Sequence, residues 1–166
     1  MALKKFKTSP DEGVKLITWG ACGVLALEAL RMLYRFSLDQ VDLTYMILHL
    51  VILTAIPLTA WFFSPQAYEV RDGALMILRP VGPVVIPLEE IESVQVAAPE
   101  DISWAVRAFG SGGFFGSYGK YWRTDLGFVT YYLRNKENPI ILQTTTRGQI
   151  VLSPDHPGFV RVLAGG

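Results

Sequence analysis

The chain has 166 residues, 51% of them hydrophobic, and its 15 Lys and Arg are balanced by 15 Asp and Glu. Residues 66 to 166 carry nine basic and ten acidic side chains, so charge offers no electrostatic footprint for nucleic acid. Cys22 is the only cysteine, which excludes an internal disulfide and a thiolate metal site.

Residues 1–13 read as a tail bearing Lys4, Lys5 and Lys7, followed by two long apolar stretches within 14–63. In the first, about 14–34, Leu16 to Leu27 is uncharged, and Glu28 and Arg31 then interrupt the run. These two lie three apart and share a helix face, where they can pair, and Arg31 can also snorkel toward an interface. A cleaved signal peptide would have the same basic lead and apolar core. Leu27-Glu28-Ala29 lacks the small residue three back from a cut, so an uncleaved span is expected. The second stretch, Leu43 to Phe63, has no formal charge and one ionisable group, His49. As a helix it would be roughly 31 Å long, about the hydrocarbon thickness of a bilayer. Pro57 is tolerable there because neighbours can satisfy the freed backbone groups, and Trp61, Phe62 and Phe63 close the run as an aromatic belt.

A turn near Leu38 and Asp39 would make the stretches a hairpin and put Glu28 near the depth of His49. A Glu28, Arg31, His49 cluster would then serve as a polar clamp. A proton or ion relay is the functional alternative, although two helices enclose no pathway. Lys4, Lys5, Lys7 and Lys15 precede the first span, whereas the connecting loop has Arg35 against Asp39 and Asp42, and Arg71 and Arg79 follow the second span. By the positive-inside rule, both termini should be cytoplasmic in a multi-pass protein of the cell (inner) membrane.

The remaining hundred residues suffice for one small domain, and their pattern is β. Tyr68, Val70 and Leu75, Ile77 flank Asp72-Gly73, a type I′ turn signal. Strands are expected over Val84 to Ile86 and Ile91 to Ala97, with a helical turn at Pro87 to Glu90 between them. A strand or short helix is expected over Ile102 to Phe109, and strands over 127–134, 140–144 and 149–152, about seven strands in all. The end reads as a helix with Ser153 or Asp155 as N-cap, Pro154 or Pro157 in its first turn, and Phe159, Val160 and Leu163 as its buried stripe.

Three segments carry a resemblance: YEVRDGALMILRPVGPVVIPLEEIESV, RAFGSGGFFGSYGKYWRTDLGFVTYY and IVLSPDHPGFVRVL. Over residues 66–164 the chain resembles the bacterial PH-like domains found in small membrane-associated proteins. The resemblance implies a PH-like barrel capped by a C-terminal helix, and it carries over no catalytic residues. The expected fold is therefore α+β: a two-helix transmembrane hairpin, then a cytoplasmic PH-like antiparallel β-barrel (66–166) with a C-terminal helix.

The strongest candidate contact region is glycine-rich, with five glycines between Gly110 and Gly119. Its candidate residues are Phe109, Gly110, Gly112, Gly113, Phe114, Phe115, Tyr118, Lys120, Tyr121, Trp122 and Arg123. Aromatics beside Lys and Arg suit the headgroup layer or a protein partner. The structural alternative is a wide β-hairpin or bulge whose aromatics cover an open barrel end. The glycine spacing fails the G-x-x-x-x-G-K-[ST] phosphate loop, since Lys120 is followed by Tyr121. Arg71 sits beside Asp72 and Glu69, so inositol-phosphate recognition at the first hairpin is not supported. Ser153, Asp155 and His156 are triad residue types, but as near neighbours they fit capping better than catalysis. His49 and His156 fall in different compartments, and neither a metal nor a cofactor is expected.

The sequence thus favours a non-enzymatic interaction or scaffold module in contact with the lipid bilayer. Its partner is an unknown protein or a second copy, with Gly20, Ala21 and Gly23 allowing close helix approach. Peripheral lipid sensing through 109–123 is one alternative, and a small membrane enzyme or transport accessory using Glu28, Arg31 and His49 is the other.

Overall fold

Both long apolar stretches are helices whose starts are set by local chemistry. The structure, a computed structural model, describes residues 4–102, 105–124 and 126–164. Helix α1 runs Glu12–Ser37 and α2 runs Leu43–Phe63. Asp11 accepts from the Val14 N–H at 2.7 Å and Asp42 from the Tyr45 N–H at 2.8 Å, each satisfying a donor that the first turn leaves orphaned. Between them Asp39 takes a left-handed conformation (φ 53°). The helices pack on each other, and the most apolar window of each is only 6% buried, so most of their hydrocarbon faces outward. Both are long and apolar enough to cross a membrane.

The rest is built from two sheets. Strands β1 (Lys4–Lys7), β2 (Ala67–Arg71), β3 (Ala74–Leu78) and β4 (Val84–Pro87) form an antiparallel sheet in that order. A 3-10 turn at Leu88–Glu90 carries the chain into the second sheet. This holds β5 (Ile91–Val96), β6 (Val106–Gly112), β7 (Ser117–Arg123), β8 (Gly127–Leu133), β9 (Ile140–Thr144) and β10 (Gly148–Leu152), in the order β5-β9-β10-β8-β7-β6. Helix α3 (Phe159–Ala164) follows.

The expected closed antiparallel barrel is not what forms. No hydrogen-bonded ladder among the described residues joins the two sheets, and β8 and β10 run parallel. The β9–β10 hairpin turns back so that β10 lies against β8, which moves β9 outward to pair with β5. Asp72-Gly73 makes the anticipated turn, with both residues at positive φ (51° and 75°). Strand β1 lies in what reads as a tail: its one apolar side chain is Phe6, opposite Tyr68 and edge-on to Phe159 at 5.0 Å. Of the segment expected as one strand or short helix, residues 103 and 104 lie outside the described residues. A 3-10 turn (Pro99–Ile102) precedes them and β6 follows.

Alternation along β10 divides the core in two. Ile150 and Leu152 join Tyr68, Leu75, Ile77 and Phe159 between the sheets and α3. Val151 joins Tyr121, Val129, Tyr131 and Ile102 on the other face. Phe159 and Leu163 of α3 are buried as expected. Ser153 and Asp155, however, do not cap this helix, which begins at Phe159. They hold the chain segment ahead of α1 instead. Asp155 accepts from the Ser9 N–H (2.7 Å) and hydroxyl (2.6 Å) and from the Asn135 amide (3.1 Å), and the Thr8 hydroxyl donates to the Ser153 carbonyl at 2.7 Å. The cause is distance along the chain: three residues separate Asp155 from Phe159, whereas β1 runs beside β2 and brings Ser9 within reach.

Fully buried Tyr68 joins this network, donating to the Tyr132 carbonyl (2.5 Å) and accepting from the Ser153 N–H (3.1 Å). Replacing it by Phe strands both partners, and Tyr68→Phe is expected to cost about 1–3 kcal/mol in denaturant unfolding of the full chain. Burial also raises the Tyr68 phenol pKa. Its contribution is complete below the unfolded tyrosine value of about 10 and declines as pH climbs from there toward the folded value. Wild-type stability should therefore fall above about pH 10, and the Tyr68→Phe variant should show a shallower fall.

Candidate functional site

The glycine-rich segment folds as the β6–β7 hairpin, with no barrel end among the described residues for its aromatics to cover. Gly110 and Gly119 face each other across the ladder. A Cβ on Gly110 would lie 2.0 Å from the Tyr118 carbonyl oxygen, and one on Gly119 would lie 2.2 Å from that of Phe109. Only a pair without side chains permits this approach, and both residues have φ near +115° (116° and 114°). The Ser111 hydroxyl donates to the Phe114 carbonyl at 2.7 Å, and the Tyr121 hydroxyl donates to the Ser111 carbonyl.

The hairpin tip docks on both long helices. The Phe115 N–H donates to the Thr18 hydroxyl of α1 at 2.9 Å, and Gly113 presses on Ile17. The Tyr118 hydroxyl donates to the Ala60 carbonyl of α2. The Phe62 carbonyl takes the Val81 N–H at 3.0 Å, and the Trp61 carbonyl takes the Ser64 N–H at 3.1 Å. Of the carbonyls that the last turn of α2 cannot use, Ala60 and Phe62 are thus met from the following domain and Trp61 by the C-cap residue Ser64. Burial pushes the Tyr118 and Tyr121 phenols up.

The candidate residues divide by environment. Gly113, Phe114, Phe115 and Tyr118 sit at the docked tip, with the two phenylalanine rings 4.9 Å apart. Tyr121 and Arg123 are buried, and Tyr121 stacks on Tyr131 at 4.4 Å. Phe109, Gly110, Gly112, Lys120 and Trp122 are exposed. Trp122 packs edge-on to Phe128 at 4.9 Å, and the register places Val106, Trp122 and Phe128 in one cross-strand row. At 79%, 70% and 62% exposure, Phe109, Val106 and Phe128 are unusually open for large apolar side chains. Val106 and Phe128 were missed in the sequence because their row exists only once three strands are paired.

Between α2 and this hairpin lies a cleft of about 730 Å³, lined by Ile52, Ala55, Ile56 and Phe63 on one side and Phe109 and Phe114 on the other. Arg79 and Arg107 also border it. Neither has a carboxylate partner among the described residues.

The polar candidates on the two long helices are only partly assembled. Arg31 donates to Glu28 at 2.9 Å. His49 hydrogen-bonds to neither: its ring lies against Tyr45 and its Nε2 is enclosed without a partner. No group of three or more His, Cys, Asp or Glu among the described residues could hold a metal ion. His156 Nδ1 accepts from the Gly158 N–H at 3.0 Å, turned to its own loop rather than to Ser153.

The hairpin geometry predicts a sharp contrast between glycines. Gly119→Ala should cost at least about 2 kcal/mol and sharply reduce the monodisperse full chain recovered in size-exclusion chromatography. Gly20→Ala, where a Cβ meets nothing within 4 Å, should be neutral or stabilising by up to about 1 kcal/mol.

Comparison with curated proteins and with solved structures yields no match. A family model does match: "Bacterial PH domain", over residues 66–164. That span covers β2 through α3 and more than half of the chain, so the protein belongs to the bacterial PH domain family.

Proposed function

We propose that this protein is a membrane-anchored, non-enzymatic interaction module working at the cytoplasmic face. In this reading α1 and α2 cross the bilayer as a hairpin, and both termini and the PH domain lie in the cytoplasm. The observation that carries it is the seating of the domain on both helices while an aromatic row stays open. Tip and helix ends are held by Thr18, Ala60 and Phe62, yet Val106, Phe109, Trp122 and Phe128 remain exposed on the same hairpin and its neighbour. Exposed aromatics at the centre of a patch are the usual anchors of protein partners. Orientation is supported by Lys5, Lys7 and Arg134, which border a hollow of about 290 Å³ near the start of α1, where anionic headgroups would lie. Lipid contact by the same row is the second reading, favoured by Lys120, which shares its face with Trp122 two residues on.

Topology is tested by cysteine labelling in a Cys22→Ser background. Asp39→Cys should react with a membrane-impermeant maleimide in intact cells, and Ser37→Cys likewise, whereas Lys136→Cys should react only after permeabilisation. Equal labelling of all three would sink the hairpin reading. For the row, Trp122→Ser with Phe128→Ser should remove the partner found by in-membrane crosslinking while the thermal midpoint stays within a few degrees. An unchanged crosslink pattern would reject protein binding there. In phosphatidylglycerol vesicles holding the full chain, hydroxyl-radical footprinting in which Val106 and Phe109 are protected in the wild type and opened in the same variant would favour the lipid reading.

A further inference from the structure

The cleft between α2 and the β6–β7 hairpin has a shape and chemistry that the interaction reading does not use. Its walls are hydrocarbon and aromatic: Ile52, Ala55, Ile56 and Phe63 from the helix, Phe109 and Phe114 from the hairpin. Its volume of about 730 Å³ falls within the range of about 300–1,000 Å³ typical of small-molecule sites. Ile52 to Phe63 spans eleven residues of helical rise, roughly 16 Å, about half of a hydrocarbon core near 30 Å thick. The cleft therefore runs the depth of one leaflet, from the foot of α2 inward.

Charge borders the cleft, with Arg79 at its shallow end. The Arg79 guanidinium lies 5.9 Å from the centre of the Phe63 ring, at the last residue of α2, and its Nε donates to the Gly82 carbonyl at 3.2 Å. Arg107 is exposed on β6. Both guanidinium groups lack a carboxylate among the described residues. A peptide would bring amide groups into a lining whose side chains offer few partners, at a desolvation cost that a hydrocarbon chain does not incur.

We propose that this cleft holds an acyl chain of an anionic glycerophospholipid from the adjoining leaflet, with its phosphate at Arg79 and Arg107. The site rests on the membrane reading of α1 and α2 and adds a specific lipid to it. Guanidinium forks suit the phosphate that every glycerophospholipid carries, and two such cations would repel the ammonium of a choline headgroup, so the site selects for net negative charge as well as for hydrocarbon.

The test uses the full chain in phosphatidylcholine nanodiscs doped with phosphatidylglycerol or phosphatidylcholine that carries a diazirine on one acyl chain. After irradiation, adducts should concentrate on Ile52–Phe63 and Phe109–Tyr118, with the glycerol probe favoured roughly tenfold. Ala55→Trp fills the cleft from an exposed helix position and should reduce these adducts to the level on the outer face of α1, as should Ile52→Trp. Arg79→Gln combined with Arg107→Gln should equalise the two probes while leaving some acyl labelling. Adducts spread evenly around both helices and indifferent to Ala55→Trp would overturn the site. Chain-to-chain crosslinks through Ala55 and Phe109 would also overturn it, by showing a second copy in the cleft. A chain that does not stay in the disc fails the membrane reading as well. One that stays but shows scattered adducts fails the cleft alone.

Discussion

The end of α2 is where the structure is decided. A helix leaves its last carbonyls without donors, and in apolar surroundings each unpaired carbonyl is costly. Here the PH domain supplies the donors: the Tyr118 hydroxyl meets Ala60 and the Val81 N–H meets Phe62. Those two donors come from different sheets, Tyr118 on β7 and Val81 on the β3–β4 turn. Seating α2 therefore fixes both sheets relative to the helical hairpin, even though no ladder among the described residues joins them. The same seating places α2 beside the β6–β7 hairpin, and the cleft lies between them.

The start of α1 is held by a second device of similar logic. The residues ahead of it pair with β2, and Asp155, Asn135 and Ser153 then grip Thr8 and Ser9. The Asp11 N–H adds a bond to the Arg134 carbonyl at 3.1 Å. The two helix ends nearest the domain are thus anchored on one body. A buried tyrosine, Tyr68, ties this polar network to the apolar core between the sheets. Removing its hydroxyl would affect both regions, since it is the shared member.

The glycine-rich segment shows how one composition serves two ends. Its glycines let two strands approach and let the tip rest on Ile17, which are structural duties. Its aromatics divide between docked, buried and exposed positions; the exposed ones remain for a partner, and Phe114 of the docked tip also borders the cleft. Composition singles out this segment, and β-pairing sorts its residues. Arg79 and Arg107 lie far from each other in sequence and border one cleft, so no local pattern could have joined them.

What the sequence determined by itself is what short-range physics governs. The lengths of the apolar runs set α1 and α2, Asp11 and Asp42 set their starts, Asp72-Gly73 set the first turn, and the period of Phe159 and Leu163 set the buried side of α3. Each depends on residues within a few positions of one another. The tertiary structure alone decided the strand made by Lys4–Lys7, the parallel β8–β10 pair that keeps the sheets from closing as a barrel, and the use of Ser153 and Asp155 as a grip on the chain start. It also left His49 out of the Glu28–Arg31 pair. These outcomes rest on contacts between residues as many as 146 positions apart, where the free energy of a pairing depends on which surfaces meet and not on the local order of side chains.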